Sequence, residues 1–301
     1  MLEIRVPASS ANVGSGFDSL GFAINLYNIF KIEKTKKGIE TKIIDQTSGK
    51  SLILPPEDNL FYQALKRIYT AAGRNIVGLS LTEIIDIPFA RGLGSSASAV
   101  IAGLVAGNYL LEKPFSEKEI IEFAIEIEGH PDNVLPAYKG GFIISVISDE
   151  GIIYKKVALD EEIKFLFIIP DFKMKTEEVR KVLPASIPLQ DTVFNLGRTA
   201  LLTASLMEKD LDMLKIALED RLHQDYRSKL IPGFYNIIET AYHHGAYGVC
   251  LSGSGPTIMA VVDKNEEMIG KAAVNEFKRH DISSTFIVKT VDNYGCKIIE
   301  D

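Results

Sequence analysis

Residues 88–98, Pro-Phe-Ala-Arg-Gly-Leu-Gly-Ser-Ser-Ala-Ser, set two closely spaced glycines and three serines just before a run of helical spacing. That combination suits an anion. Glycine lets the backbone come close to a ligand, and the first turn of a helix offers unpaired N–H groups at the positive end of its dipole. The hydroxyls of Ser95 and Ser96 can add contacts to a phosphate or to a metal on it. Two other nucleotide-loop patterns fit less well. Gly92-Leu-Gly94-Ser-Ser-Ala97 matches the G-x-G-x-x-A dinucleotide fingerprint. Pro88, however, separates the preceding strand from the turn, and the acidic residue due about 20 residues on is Glu112, at a helix end. Gly49-Lys50-Ser51 could end a Walker loop, but its first glycine would fall on Ile44. The bland alternative is a plain helix entry.

The elements that must position this loop follow from periodicity. Leu79 to Ile87 alternates as a strand that Pro88 ends, and from Ser95 the apolar residues Ala97, Val100, Ile101, Leu104 and Val105 recur at helical spacing. Ser116 and Glu119 form a capping box for a helix running to Gly129. Leu2–Val6 reads as a strand entering a Ser- and Gly-rich loop, and Asn28–Lys34 and Thr41–Asp45 as strands around a turn at Lys37-Gly38. Asp58–Ala72 has helical spacing. Further strands are expected at 140–147, 152–157 and 164–169. Helices follow at 176–183, 192–207 and 211–222. The last third reads as helix 234–243, strands 247–251 and 256–262, helix 266–278 and strand 285–290. Grouped helices and antiparallel-looking strands give an α+β class, with a boundary near Asp160-Glu161-Glu162 that divides the chain into residues 1–160 and 161–301.

With 301 residues, 46% of them hydrophobic, the chain can bury two cores. A formal charge of −7 argues against a nucleic-acid partner, though backbone N–H groups and a cation can still hold phosphates. Two cysteines without metal-type spacing, Cys250 and Cys296, indicate a reducing compartment. The start, MLEIRVPASS, has no basic segment leading into an apolar run, and the longest apolar stretch, Ala97 to Leu111, is shorter than the ~20 residues of a membrane span. A cytoplasmic protein without membrane contact is expected.

Residues 88–97, read as P-x-x-x-G-L-G-S-S-A, resemble the ATP-binding motif of the GHMP kinase superfamily. Two more blocks resemble that family in the same order: Pro7-Ala-Ser-Ser-Ala-Asn12-Val-Gly14-Ser-Gly16-Phe17-Asp18 and Gly248-Val-Cys-Leu-Ser252-Gly253-Ser254-Gly255-Pro256-Thr257. The resemblance implies a two-domain α+β fold, with a ribosomal S5 domain 2-like N-terminal domain that binds ATP and a ferredoxin-like C-terminal domain. It also implies phosphoryl transfer from ATP to an alcohol, with Mg²⁺. ATP would lie on Pro88, Phe89, Ala90, Arg91, Gly92, Leu93, Gly94, Ser95, Ser96, Ala97 and Ser98, with Asn59 near the adenine.

Three smaller blocks, at 128–134, 176–184 and 223–232, are similar to the branch of that family that phosphorylates L-homoserine in threonine biosynthesis. An amino-acid substrate offers an ammonium, a carboxylate and a hydroxyl. Planar guanidinium donors suit the carboxylate, and Arg180 and Arg227 are available for it. Asp18 can meet the ammonium, with Asn12, His130, Asn133, Thr176 and Gly253 as further substrate contacts implied by the resemblance. Asn133 stands where other members carry an aspartate base, and phosphoryl transfer, which asks mainly for positioning and charge stabilisation, does not require one. The resemblance puts the Mg²⁺ on Ser96 and Glu126, while helical spacing leaves Glu122 and Glu128 as rivals. It also implies a homodimer. Other GHMP kinases, acting on mevalonate, a sugar or shikimate, and a non-catalytic sensor of the same fold remain as alternatives.

Overall fold

Alternating apolar residues build two sheets, and helices with single apolar faces cover them. The computed structural model describes residues 1–300; Asp301, where the expected C-terminal domain ends, lies outside the described residues. The larger sheet holds β1 (Leu2–Ala11), β2 (Leu20–Lys34), β3 (Ile39–Asp45), β4 (Lys50–Ile53), β5 (Leu79–Ile85), β6 (Phe142–Ser148) and β7 (Gly151–Val157). A last strand, β12 (Lys297–Glu300), returns to pair with β1. Four helices accompany this sheet: α1 (Leu60–Ala71), α2 (Ser95–Leu110), α3 (Glu117–Glu128) and α4 (Pro131–Lys139).

The smaller sheet is antiparallel, in the order β11-β8-β10-β9, from β8 (Lys164–Pro170), β9 (Gly248–Leu251), β10 (Ile258–Val262) and β11 (Ser284–Lys289). Between β8 and β9 run α5 (Thr176–Arg180), α6 (Leu189–Glu208), α7 (Leu214–Ala217), α8 (Gln224–Arg227) and α9 (Phe234–His243). With α10 (Glu266–Arg279) between β10 and β11, the path through β8, α9, β9, β10, α10 and β11 is the ferredoxin-like β-α-β-β-α-β pattern.

Three apolar clusters hold these layers together. One lies between the larger sheet and α1–α4, around Phe30, Phe61 and Val100. A second joins the two sheets, where Phe22 meets Phe165 at 4.4 Å between ring centroids. The third lies under α9 and α10, around Ile237 and Phe277. A bulge between Pro7 and Ala8 decides which face β1 presents where. Before it, Ile4 and Val6 face the helices; after it, Ala8 faces the smaller sheet. The bulge thereby turns Ser9 toward the helix layer and Ser10 toward the smaller sheet, the first step in building the site. No helix among the described residues is long and apolar enough to cross a membrane.

Some elements differ from those expected. β2 and β3 do not pair, because β5 lies between them, antiparallel to β2 and parallel to β3. The expected helix 211–222 breaks after Ala217: the Asp220 carboxylate takes the backbone N–H groups of Leu222, His223 and Gln224 and starts α8 instead. The helix expected at 176–183 stops at Arg180. Helix α4 was not anticipated; Pro131 is its first residue, where a missing N–H costs nothing.

Candidate active site

Gly94 caps α2 in the left-handed region, with φ of 71°. A Cβ there would stand 2.0 Å from Ser9 Oγ, and one on Gly92 would stand 2.2 Å from the Ser252 carbonyl oxygen. The loop 88–97 is therefore pressed against the two other Ser- and Gly-rich blocks. Ser9 N donates to Leu93 O at 3.1 Å, Gly253 N to Ala11 O at 3.0 Å, and Ser252 Oγ to Gly92 O at 2.6 Å. Ser95 Oγ, in the first turn of α2, is buried with no partner among the described residues. Gly94→Ala is expected to lower the unfolding midpoint and to weaken nucleotide binding by about tenfold or more, since loop displacement worth about 1.4 kcal/mol is a factor of ten. An unchanged ADP titration in that variant would remove the turn from the site.

Pro88, Ala90, Arg91, Gly92, Leu93, Gly94, Ser95, Ser96 and Ala97 line a polar compartment, and Phe89 lines a second, larger cleft of about 1000 Å³ continuous with it through Ser96 and Glu128. Asn59 also lines that cleft. Ser98 does not reach either. It is fully buried, accepts from Asn28 Nδ2 at 2.8 Å and donates to Ser95 O, so its hydroxyl braces the helix start against β2 and is corrected from a nucleotide contact to a structural one. Arg91 pairs with Asp171 at 2.9 Å and leaves Nη1 buried without a partner.

The carboxylate beside Ser96 is Glu128, not Glu126. Ser96 Oγ donates to Glu128 Oε1, whereas Glu126 is exposed on another face of α3 and pairs with Arg67 at 2.9 Å, the guanidinium lying over Phe123. Two residues apart on a helix, side chains point about 200° apart, so only one of the two can face α2. Burial raises the Glu128 carboxyl above its ordinary value, opposed by the Ser96 hydroxyl and by His130. Among the described residues no group of three or more His, Cys, Asp or Glu side chains converges on a point. A cation at Ser96 and Glu128 would take its remaining ligands from phosphate oxygens and water, which suits Mg²⁺.

Past Gly129 the chain brings His130, Asp132 and Asn133 to the same compartment. Ser9 Oγ donates to Asn133 Oδ1 at 2.9 Å and fixes that amide. His130 Nδ1 meets Asp132 Oδ1 at 2.7 Å. Burial disfavours charge on this imidazole, but the Asp132 bond and the nearby Glu128 outweigh it and raise its pKa.

Opposite the loop, Arg180 at the end of α5 holds Asp18 through two bonds, of 2.9 and 2.6 Å. Asn12 has both ends of its amide engaged: Oδ1 accepts from Asp18 N and Nδ2 donates to Gly253 O, so it positions Asp18 and the Gly253 loop. Thr176 Oγ1 lies 3.3 Å from Ser254 Oγ at the compartment's rim. Arg227 is 1% exposed. Its Nη1 donates to Gly253 O at 3.1 Å and faces His223 Nδ1 at 3.2 Å, while Nε is buried with no partner among the described residues. Burial, with Arg180 adding like charge, pushes the Arg227 guanidinium down to about 10. No carboxylate pairs with it directly among the described residues; Asp18, Asp132 and Asp220 act on it only at longer range.

Two contributors went unassigned in the sequence reading. Phe17 lies under both guanidinia, 5.2 Å from Arg227 and 5.5 Å from Arg180, and stacks on His223. His223 is fully buried, with Nε2 2.8 Å from Gly14 O; burial lowers its pKa, and the neutral ring with Nε2–H toward Gly14 leaves Nδ1 free to accept from Arg227. The spacing of His223 and Arg227, one helical turn, was the available signal.

Residues 59–141 match the GHMP kinases N terminal domain and residues 202–280 the GHMP kinases C terminal domain. The chain is 44% identical over 296 residues to the homoserine kinase of Halothermothrix orenii, covering 98% of this chain and 95% of that one. It is 42% identical over 301 residues to that of Clostridium beijerinckii, covering 100% and 99%. A solved structure of homoserine kinase from Cytophaga hutchinsonii superposes with a TM-score of 0.85 at 31% identity, over 99% of this chain and 97% of that one. A mevalonate kinase structure, at 20% identity and a TM-score of 0.70, shares the fold. The chain belongs to the GHMP kinase family, and within it to the homoserine kinases. The two-domain fold is that family's, and the reaction class is ATP-dependent phosphorylation of a hydroxyl group.

Proposed function

We propose that the chain phosphorylates L-homoserine at its hydroxyl, giving O-phospho-L-homoserine and ADP, in the cytoplasm as a step of threonine biosynthesis. The observation that carries this is the compartment between the phosphate loop and α5, where the Asp18 carboxylate and the Arg180 and Arg227 guanidinia face a single small space that Glu128, Asp132 and Arg91 also line. That set is complementary to a zwitterion. In the structure Arg180 and Asp18 satisfy each other. An amino acid would part them, giving its ammonium to Asp18 and its carboxylate to Arg180 and the directly unpaired Arg227.

The hydroxyl of such a substrate would point toward Asn133 and Ser96. Asn133 cannot take a proton as a base; held by Ser9, it orients the hydroxyl. Ser95 and the N–H groups of the first turn of α2 would hold the transferring phosphate. Ser96 and Glu128 would hold Mg²⁺, whose charge would offset that developing on the phosphate oxygens. Asn59 would lie near the adenine. We read residues 1–160 and 161–301 as the two domains, with β12 added back to the first. A homodimer is proposed as the assembly, supported by Leu189, Val193 and Leu196, which are exposed along one face of α6.

A coupled ADP-release assay over homoserine, mevalonate, galactose and shikimate tests the reading. Turnover is expected with homoserine. Turnover with one of the others and none with homoserine would overturn the substrate assignment, and none with any would favour a sensor.

A further inference from the structure

β5 alternates, with Leu79, Leu81, Glu83 and Ile85 on its buried face. Glu83 is thus a carboxylate in an apolar row, 4% exposed, on the side of the sheet that packs on α1. Its partner is the residue that caps α1. Asn59 Oδ1 accepts from Tyr62 N at 2.8 Å, and Asn59 Nδ2 donates to Glu83 Oε1 at 2.5 Å. No cation approaches the carboxyl, and burial pushes it up to about 7. An apolar residue there would continue the row, so Glu83 costs stability that its place in the core does not return. Both side chains line the cleft of about 1000 Å³, as do Ile43, Leu54, Leu60 and Phe89.

The pair retains two unused groups: the second N–H of Asn59 and the second oxygen of Glu83, neither with a partner among the described residues. With the two side chains bonded to each other, these groups can present a donor next to an acceptor. The Watson–Crick edge of adenine is the complement, an acceptor at N1 and a donor at the 6-amino group. Hypoxanthine and guanine reverse it, with N1–H a donor and O6 an acceptor. A carboxylate can grip guanine with both oxygens, but here Asn59 already occupies one. We infer that Glu83 is the residue that selects the nucleobase, its free oxygen accepting the 6-amino group of adenine while Asn59 donates to N1.

The inference rests on the reading that ATP lies in this cleft, and the experiment separates the two. Dissociation constants are measured for ADP, purine riboside diphosphate (which lacks the 6-amino group) and inosine diphosphate. Measured at about pH 8.5, above the Glu83 pKa so that its carboxyl is ionised, wild-type protein should bind ADP about ten- to a hundredfold more tightly than either analogue, the range for one hydrogen bond to a charged group. The isosteric Glu83→Gln turns an amide N–H₂ toward the cleft once its oxygen takes the Asn59 bond. That variant should weaken ADP, tighten inosine diphosphate and so narrow or invert the preference. If wild-type protein binds ADP and the deamino analogue equally, or if Glu83→Gln keeps the wild-type ratios, Glu83 does not read the base. If ADP does not bind wild-type protein at all, the nucleotide reading of the cleft falls, and this inference with it. The wild-type panel needs no variant to fold.

Discussion

Glu128→Gln is expected to lower kcat about 100- to 1000-fold, the loss typical when one preorganised electrostatic partner of a transition state is removed. Glu126→Gln should leave kcat nearly unchanged. The contrast follows from the two side chains' surroundings. Glu128 is bonded to Ser96 at the junction of the two compartments, and burial already holds its pKa above the ordinary value. An amide there keeps the shape and loses the charge that a divalent cation needs. Glu126 faces solvent and Arg67, and exposed pairs of that kind contribute little. Raising Mg²⁺ should recover part of the Glu128→Gln activity if the loss is one of metal affinity. Steady-state rates against Mg²⁺ concentration for both variants decide it, and the reverse ranking would return the metal to Glu126.

That pair also shows where the sequence ran out. The phosphate loop was legible because its determinants are contiguous: two glycines, two serines and the helix they open. Glu122, Glu126 and Glu128 share one helix, and which of them faces α2 depends on how α1, α2 and α3 pack, with Arg67 of α1 claiming Glu126. Motif position favoured Glu126, the one that faces away from Ser96. The local clue was that Glu128 adjoins Gly-His-Pro-Asp-Asn, whose members His130 and Asn133 had already been placed in the site. Ser98 misled in a similar way, since a serine three residues into a helix can as easily face the core, where Asn28 meets it. Element types were mostly readable from period. What composition could not supply was the bulge at Pro7/Ala8 that aims Ser9, and the capping by Asp220 that ends one helix and starts the one bearing Arg227.

Arg227→Lys is expected to raise the KM for homoserine roughly ten- to a hundredfold, equivalent to about 1.5–3 kcal/mol for a hydrogen bond to a charged group, with a much smaller change in the KM for ATP. The wild-type guanidinium is held through Nη1, by Gly253 O and by His223 Nδ1, and Nε has no partner among the described residues. A carboxylate entering the compartment would supply both an acceptor for Nε and a directly paired charge. Lysine keeps the charge but lacks the planar fork and cannot span the same contacts. The Arg180–Asp18 pair makes the effect specific to zwitterions, since a ligand without an ammonium has nothing to offer Asp18 in exchange for Arg180. Reducing the substrate carboxylate to an alcohol provides the control. That analogue should be a poor substrate for the wild-type enzyme and far less sensitive to Arg227→Lys. A KM effect with kcat preserved would mark Arg227 as a binding group, whereas a fall in both would mean that the carboxylate contact also sets the position of the reacting hydroxyl. If homoserine and the reduced analogue lose activity equally in Arg227→Lys, Arg227 does not read the carboxylate, and the zwitterion would then be held by Asp18 and Arg180 alone.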